Sequence, residues 1–156
     1  MSIRIYDSQN DLIHFPYIYE RGERITIASK RLPQRGFGPH VIRTRETIVI
    51  NENMAQAMEE YGASLLPGTG MEKSFVMVPL IAGEQVRGMI NLINMEREHA
   101  FSDSDVRLLQ TLANSMSVAL ENARLFDETQ RLLKETEQRA AELAVINRIQ
   151  ESITRT

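Results

Sequence analysis

The sequence predicts an α+β fold: a central antiparallel sheet with flanking helices, followed by a long C-terminal helix of coiled-coil type. Three observations carry this. Apolar residues near the start alternate with polar ones at the period of a strand. Two strand-length runs, Ser74–Ile81 and Val86–Asn94, flank the turn Ala82-Gly83-Glu84-Gln85 and form a β-hairpin pattern. From Ser102 onward neither Pro nor Gly occurs, and apolar residues recur at heptad spacing.

The elements follow in order. Ile3 and Ile5 alternate with Arg4 and Tyr6, which predicts a first strand. Ser8-Gln9-Asn10-Asp11 is a turn by composition. Leu12–Phe15 and Tyr17–Tyr19 are extended on either side of Pro16, and Arg24–Ala28 is a candidate third strand after a second turn. A short helix is predicted around His40–Arg43, then a β-branched run, Thr47–Ile50. The next helix is expected over Met54–Tyr61, ending at Gly62, followed by a loop at Pro67–Gly70. Pro79 inside the first hairpin strand points to an edge or a bulge.

The long helix carries a seam: Val106, Leu109, Ala113, Met116, Leu120 and Ala123 step by three and four. The rhythm resumes at Phe126, Thr129, Leu133, Thr136, Ala140 and Leu143, and again at Ile146, Ile149 and Ile153. Each restart follows a step of three, which locally overwinds a coiled coil. A helix of about fifty residues would run roughly 75 Å at 1.5 Å per residue, too long for one domain of this size to cover. Its distal half is therefore expected to pair, as a parallel homodimer or an antiparallel bundle.

Composition narrows the function. The chain has 156 residues, a net charge of -3 and no cysteine, so thiolate chemistry and cysteine-ligated groups are excluded within it. No apolar stretch is long enough to span a membrane, and the start has no signal-peptide core, which predicts a cytoplasmic segment without membrane contact. The cluster Lys30, Arg31, Arg35, Arg43 and Arg45 is followed by Glu46 and Glu52, so no nucleic-acid partner is expected. His14, His40 and His99 lack metal-ligand spacing, and no nucleophile motif or P-loop is present.

Several stretches resemble the GAF domain family of small-molecule sensors. Ser2–Asp7 resembles its first core strand. Residues 35–50, RGFGPHVIRTRETIVI, resemble its "G-x-x-G-x-V…G-x-P-x-x-I" stretch, departing at Glu46 and Thr47. Residues 74–94, SFVMVPLIAGEQVRGMINLIN, are similar to its "VPL" and "GVL" strands, and residues 100–126 resemble its closing helix. The resemblance implies a sensor domain at 1–126, lacking the family's usual opening helix. It also implies a helical linker at 127–156, whose residues 142–153 resemble the helix that opens a following GAF domain.

The resemblance also supplies candidate ligand contacts. Phe37 lies between Gly36 and Gly38, where backbone can approach a ligand, and His40 falls at the pocket rim. Some cyclic-nucleotide-binding members carry Asn-Lys, then Phe, then Asp-Glu. Here Asn94, Phe101 and Asp105 match, while Met95 replaces the Lys and Val106 the Glu. The same stretch has a purely structural reading: Ser102 as N-cap with Asp105 in a capping box, and Phe101 with Val106 as a hydrophobic staple. The expected function is non-catalytic sensing of a small molecule whose identity is unknown, with no cofactor assigned. The signal would pass through a dimeric helix to an output domain such as a sensor histidine kinase. A structural, ligand-free dimerisation module is the alternative.

Overall fold

The structure, a computed structural model, describes residues 1–65 and 70–155. The expected loop Pro67–Gly70 lies outside the described residues except for Gly70. Two compact units are present, Met1–Val118 and Ala119–Thr156.

The first unit is built on strands β1 (Ser2–Asp7), β2 (Leu12–Glu20), β3 (Glu23–Arg24), β4 (Lys30–Arg31), β5 (Ile48–Ile50), β6 (Ser74–Ala82) and β7 (Gln85–Asn94). They form one seven-stranded sheet in the order β3-β2-β1-β7-β6-β5, with β4 also pairing β2. Every pairing is antiparallel. Helices α1 (Phe37–Thr44) and α2 (Met54–Tyr61) are inserted before β6, and α3 (Asp103–Thr154) follows β7. The expected third strand is shorter than Arg24–Ala28: beyond Arg24 the pairing continues only as one bond, from Ile25 N–H to Ile18 C=O at 3.0 Å.

Local chemistry explains the irregular points. The Asp7 carboxylate accepts hydrogen bonds from the Gln9 and Asn10 N–H groups at 3.0 and 3.3 Å, closing the β1–β2 turn. Pro16 falls where the β1–β2 register shifts, between the pairs Ile3–Tyr17 and Ile5–His14, so the ladder bond it cannot donate is skipped. Pro79 pairs Met89 of β7, while β5 ends its pairing at Met77; Pro79 thus has no strand on its other side. Gly83 takes φ +64 in the hairpin turn, a conformation that suits glycine. At Gly88 a Cβ would sit 2.1 Å from the Arg4 carbonyl oxygen, so only glycine lets β1 and β7 approach this closely.

The sheet is buried on both faces at β6 and the middle of β7. On one, Phe75, Met77 and Met89 pack with Ile13, Val41 and Met54. On the other, Val76, Val78, Leu80 and Ile90 are buried, and the buried side chains left to cover them are Leu109, Ala113 and Ser117 of α3. A strand enclosed on both sides reads as a continuous apolar run, which is what β6 is.

This changes the meaning of the first part of the heptad seam. Leu109 and Ala113 are buried, and Val106 and Met116 half-buried, within the first unit, so these positions pack on their own domain. In the second unit the seam remains at the surface: Phe126 is 64 % exposed, Leu133 52 %, Leu143 59 % and Ile149 54 %. Arg124 bridges Glu121 at 2.7 Å and Glu128 at 3.0 Å, and Arg131 bridges Glu135 at 3.1 Å. Such exposed pairs are screened by solvent, so the helix draws little stability from them.

Candidate functional site

A cavity of about 360 Å³ opens between the sheet and the segments that carry α1 and α2. Alternation along the strands decides what faces it. Ser2 and Arg4 of β1 pair with Asn91 and Met89 of β7, and Phe75 and Met77 of β6 pair with Ile93 and Asn91. All of these line the cavity. Most of the lining is apolar, and Met58, Met77, Met89 and Met95 contribute flexible side chains that adapt to varied shapes.

The polar part of the floor is a chain of three side chains. Arg4 Nε donates to Ser2 Oγ at 3.4 Å. Ser2 Oγ donates its single proton to Asn91 Oδ1. Ser2 and Asn91 are 6 % and 5 % exposed. Arg4 is enclosed by protein, and the cavity keeps part of its surface open. Burial pulls its pKa down, and the charge of Glu72, which also lines the cavity, partly offsets this. The guanidinium carbon lies 5.6 Å above the Phe15 ring, a cation–π contact.

The aromatic wall centres on Phe37. Its ring lies 4.8 Å from Phe75 and 5.3 Å from Tyr61, and Tyr61 meets His40 edge-on at 4.7 Å. Phe37 lines the large cavity. His40 lies on the other side of Tyr61, lining a smaller cavity of about 230 Å³ with Arg35, Arg43 and Glu60.

Asn94, Phe101 and Asp105 lie elsewhere, on the connection from β7 to α3. Asn94 Oδ1 accepts the N–H groups of Glu96 and Arg97, both at 2.9 Å, which makes it a turn former. Phe101 is held by its backbone: Asn51 Nδ2 donates to its carbonyl at 3.0 Å. Asp105 accepts from Ser102 N–H at 2.8 Å and Ser102 Oγ–H at 2.9 Å, while Ser102 Oγ accepts from Asp105 N–H at 3.2 Å. That is the reciprocal capping box, and it holds the Asp105 carboxyl below its ordinary range. Ser74 completes the connection: fully buried, it donates to the Arg97 carbonyl at 2.9 Å and accepts from Ala100 N–H at 3.1 Å.

Of the five residues singled out in the sequence, then, Phe37 alone lines the large cavity; His40 lines its neighbour, and the other three shape the joint into α3. Sequence reasoning missed Ser2, Arg4 and Asn91 in the cavity, and Asn51 and Ser74 at the joint. One signal was available: polar residues at alternate positions of a strand that pairing then places inside the sheet.

The chain matches the GAF domain family over residues 1–121. It is 27 % identical over 93 residues to the formate hydrogenlyase transcriptional activator of Salmonella typhimurium (strain SL1344), a match covering 59 % of this chain and 13 % of that relative. This chain therefore corresponds to a small part of the curated relative. Among solved structures it is similar to the GAF domain of an Acinetobacter phosphoenolpyruvate-protein phosphotransferase, with a TM-score of 0.62 and 24 % identity, covering 80 % of this chain and 72 % of that one. It is also similar to residues 122 to 287 of a methyl-accepting chemotaxis protein, with a TM-score of 0.64 and 19 % identity, covering 80 % and 79 %. The likenesses in structure establish a shared fold, and the family match over most of the chain establishes membership: the chain belongs to the GAF domain family, whose members are regulatory and sensory modules.

Proposed function

We propose that this GAF domain senses a small molecule in the 360 Å³ cavity and passes the change through α3 to an output domain. The cavity carries the reading. Its volume lies in the range of small-molecule sites, about 300–1,000 Å³, and it pairs an apolar wall with few convergent polar groups. Methionine and phenylalanine side chains line it and leave it open, whereas a purely structural module would fill this space. Phe37 is the proposed ligand contact from α1, with His40 behind Tyr61 at the rim. Asn94, Phe101 and Asp105 are proposed to act at the joint. Binding without catalysis accords with the regulatory character of GAF domains.

The exposed apolar seam supports a homodimer through the second unit, since an apolar stripe on a long helix loses free energy when left in water. The proposed sensor domain, 1–126, and linker, 127–156, set their boundary inside the second unit, which begins at Ala119. The proposed location is cytoplasmic, and among the described residues no helix is long and apolar enough to cross a membrane. A histidine kinase is one output compatible with the design. Native mass spectrometry of the purified chain tests the sensing role: a co-purified small molecule lost on denaturation is the expected result. A ligand-free spectrum, together with no thermal stabilisation by any member of a metabolite panel, would refute it.

A further inference from the structure

Three donor nitrogens on the cavity floor have no partner among the described residues. Arg4 spends only its Nε on Ser2. Its two terminal nitrogens donate to no described residue, and Arg4 lines the cavity. Arg4 also forms no ion pair among the described residues. The third donor follows from Ser2. Its one proton goes to Asn91 Oδ1, which leaves Nδ2 as the end of the amide with no partner among the described residues, and Asn91 lines the cavity. The register places both groups on one face: Ser2 pairs Asn91, and Arg4 pairs Met89.

A charged guanidinium enclosed by protein and forming no salt bridge among the described residues is costly, and the charge of Glu72 offsets that only in part. Its planar fork of N–H donors matches the two oxygens of a carboxylate. The other charged groups of the lining are the Met1 ammonium, which donates to the Tyr19 carbonyl at 2.8 Å, and Lys30, Arg35, Glu20 and Glu72. Lys30 and Arg35 are exposed, so Arg4 is the cation at the base, and Glu72 is the acid whose charge it feels. The rest of the wall is largely apolar, which suits a hydrocarbon body and gives a multiply charged anion few further donors. The uncapped amino end of α1, at Gly36–Gly38, borders the same cavity and adds the positive end of a helix.

Building on the sensing role proposed for this cavity, we infer that its ligand is a small organic monocarboxylate with an apolar body, its carboxylate held by the Arg4 fork and Asn91 Nδ2. Hexanoate and its neutral isostere hexanamide test this in separate titrations of the isotope-labelled chain, followed by backbone and asparagine side-chain resonances. Hexanoate should bind saturably, shift the Asn91 side-chain signal, and bind at least about tenfold more tightly than the amide. Arg4→Gln should erase that preference, and the acid–amide comparison on the native chain needs no variant to fold. Equal affinity for acid and amide would overturn the carboxylate assignment while leaving the cavity a ligand site. Inorganic phosphate competing as well as hexanoate would overturn the apolar-body requirement. No shift of cavity resonances by either probe would count against both the carboxylate and the cavity's sensing role.

Discussion

Ser74→Ala tests the joint between sheet and helix. The Ser74 hydroxyl is fully buried, donates to the Arg97 carbonyl at 2.9 Å and accepts from Ala100 N–H at 3.1 Å. Each such bond contributes about 0.5–1.5 kcal/mol net, so losing both should cost about 1–3 kcal/mol. At about 4 °C per kcal/mol for a domain of this size, the melting temperature should fall by about 4–12 °C. The readout must report on the first unit, because helical signal from α3 would dominate far-ultraviolet dichroism. Tyr6, Tyr17, Tyr19 and Tyr61 are the chain's four tyrosines, and all lie in that unit, so near-ultraviolet dichroism isolates it. Thr129→Ala is the control: its exposed hydroxyl bonds only Leu125 of its own helix, and its loss should leave the tyrosine transition where it was. An unchanged midpoint for Ser74→Ala would refute the joint as described.

Gly88→Ala should cost more, above about 3 kcal/mol, because its Cβ would meet the Arg4 backbone at 2.1 Å and no rotamer can relieve a backbone clash; a urea midpoint near that of the parent would refute this. Ser102→Ala should remove about 1 kcal/mol of cap stability, seen as faster amide exchange in the first turn of α3. Asp105 has a lowered folded-state pKa, so its contribution is fully present above the unfolded value of 3.8 and is lost as pH falls through the folded value. The stability gap between the parent and Asp105→Asn should therefore hold steady from neutral pH down to about 5 and close below about 4, as followed by denaturant melts across pH. For the proposed dimer, replacing Phe126 and Leu133 together by Asn should shift sedimentation from dimer to monomer without moving the tyrosine transition.

Periodicity made much of the fold legible. The hairpin β6–β7, the helix ending at Gly62 and the capping box at Ser102 all follow from spacing and turn chemistry within a few residues. The third strand was not legible, because Arg24–Ala28 has strand-like residues but β2 offers it only a short stretch of pairing. The heptad between Val106 and Met116 was legible as a seam, but spacing alone cannot say whether a seam packs on a partner helix or on its own sheet. The cavity was the hardest part. Arg4 sits between Ile3 and Ile5, so alternation casts it as the water-facing residue, yet Ile3 and Ile5 share their face with Ile90 and Gly88 while Arg4 shares its own with Met89. Past Ser2 every residue of β1 is half-buried, and a polar residue held that way must face a polar neighbour or an opening. Ser2, Asn91 and the cavity are that environment, and they come together only through pairing between the first strand and the seventh.

The proposed passage of signal has a short physical route. Ser74 and Phe75 are consecutive in β6, so their side chains point to opposite faces. Phe75 lines the cavity, and Ser74 holds the loop that leads into α3. Their partners in β7 repeat the arrangement: Ile93, opposite Phe75, lines the cavity, and Asn94, opposite Ser74, folds the turn. A ligand that moves Phe75 or Ile93 therefore acts on the two strand ends whose next residues fix the start of α3. Rotation of a strand end about its own axis shifts both faces together, so a small movement in the cavity need cross only one residue to reach the joint. This favours a response carried by the strand ends over one carried by the β6–β7 turn at Gly83, which lies at the opposite end of both strands.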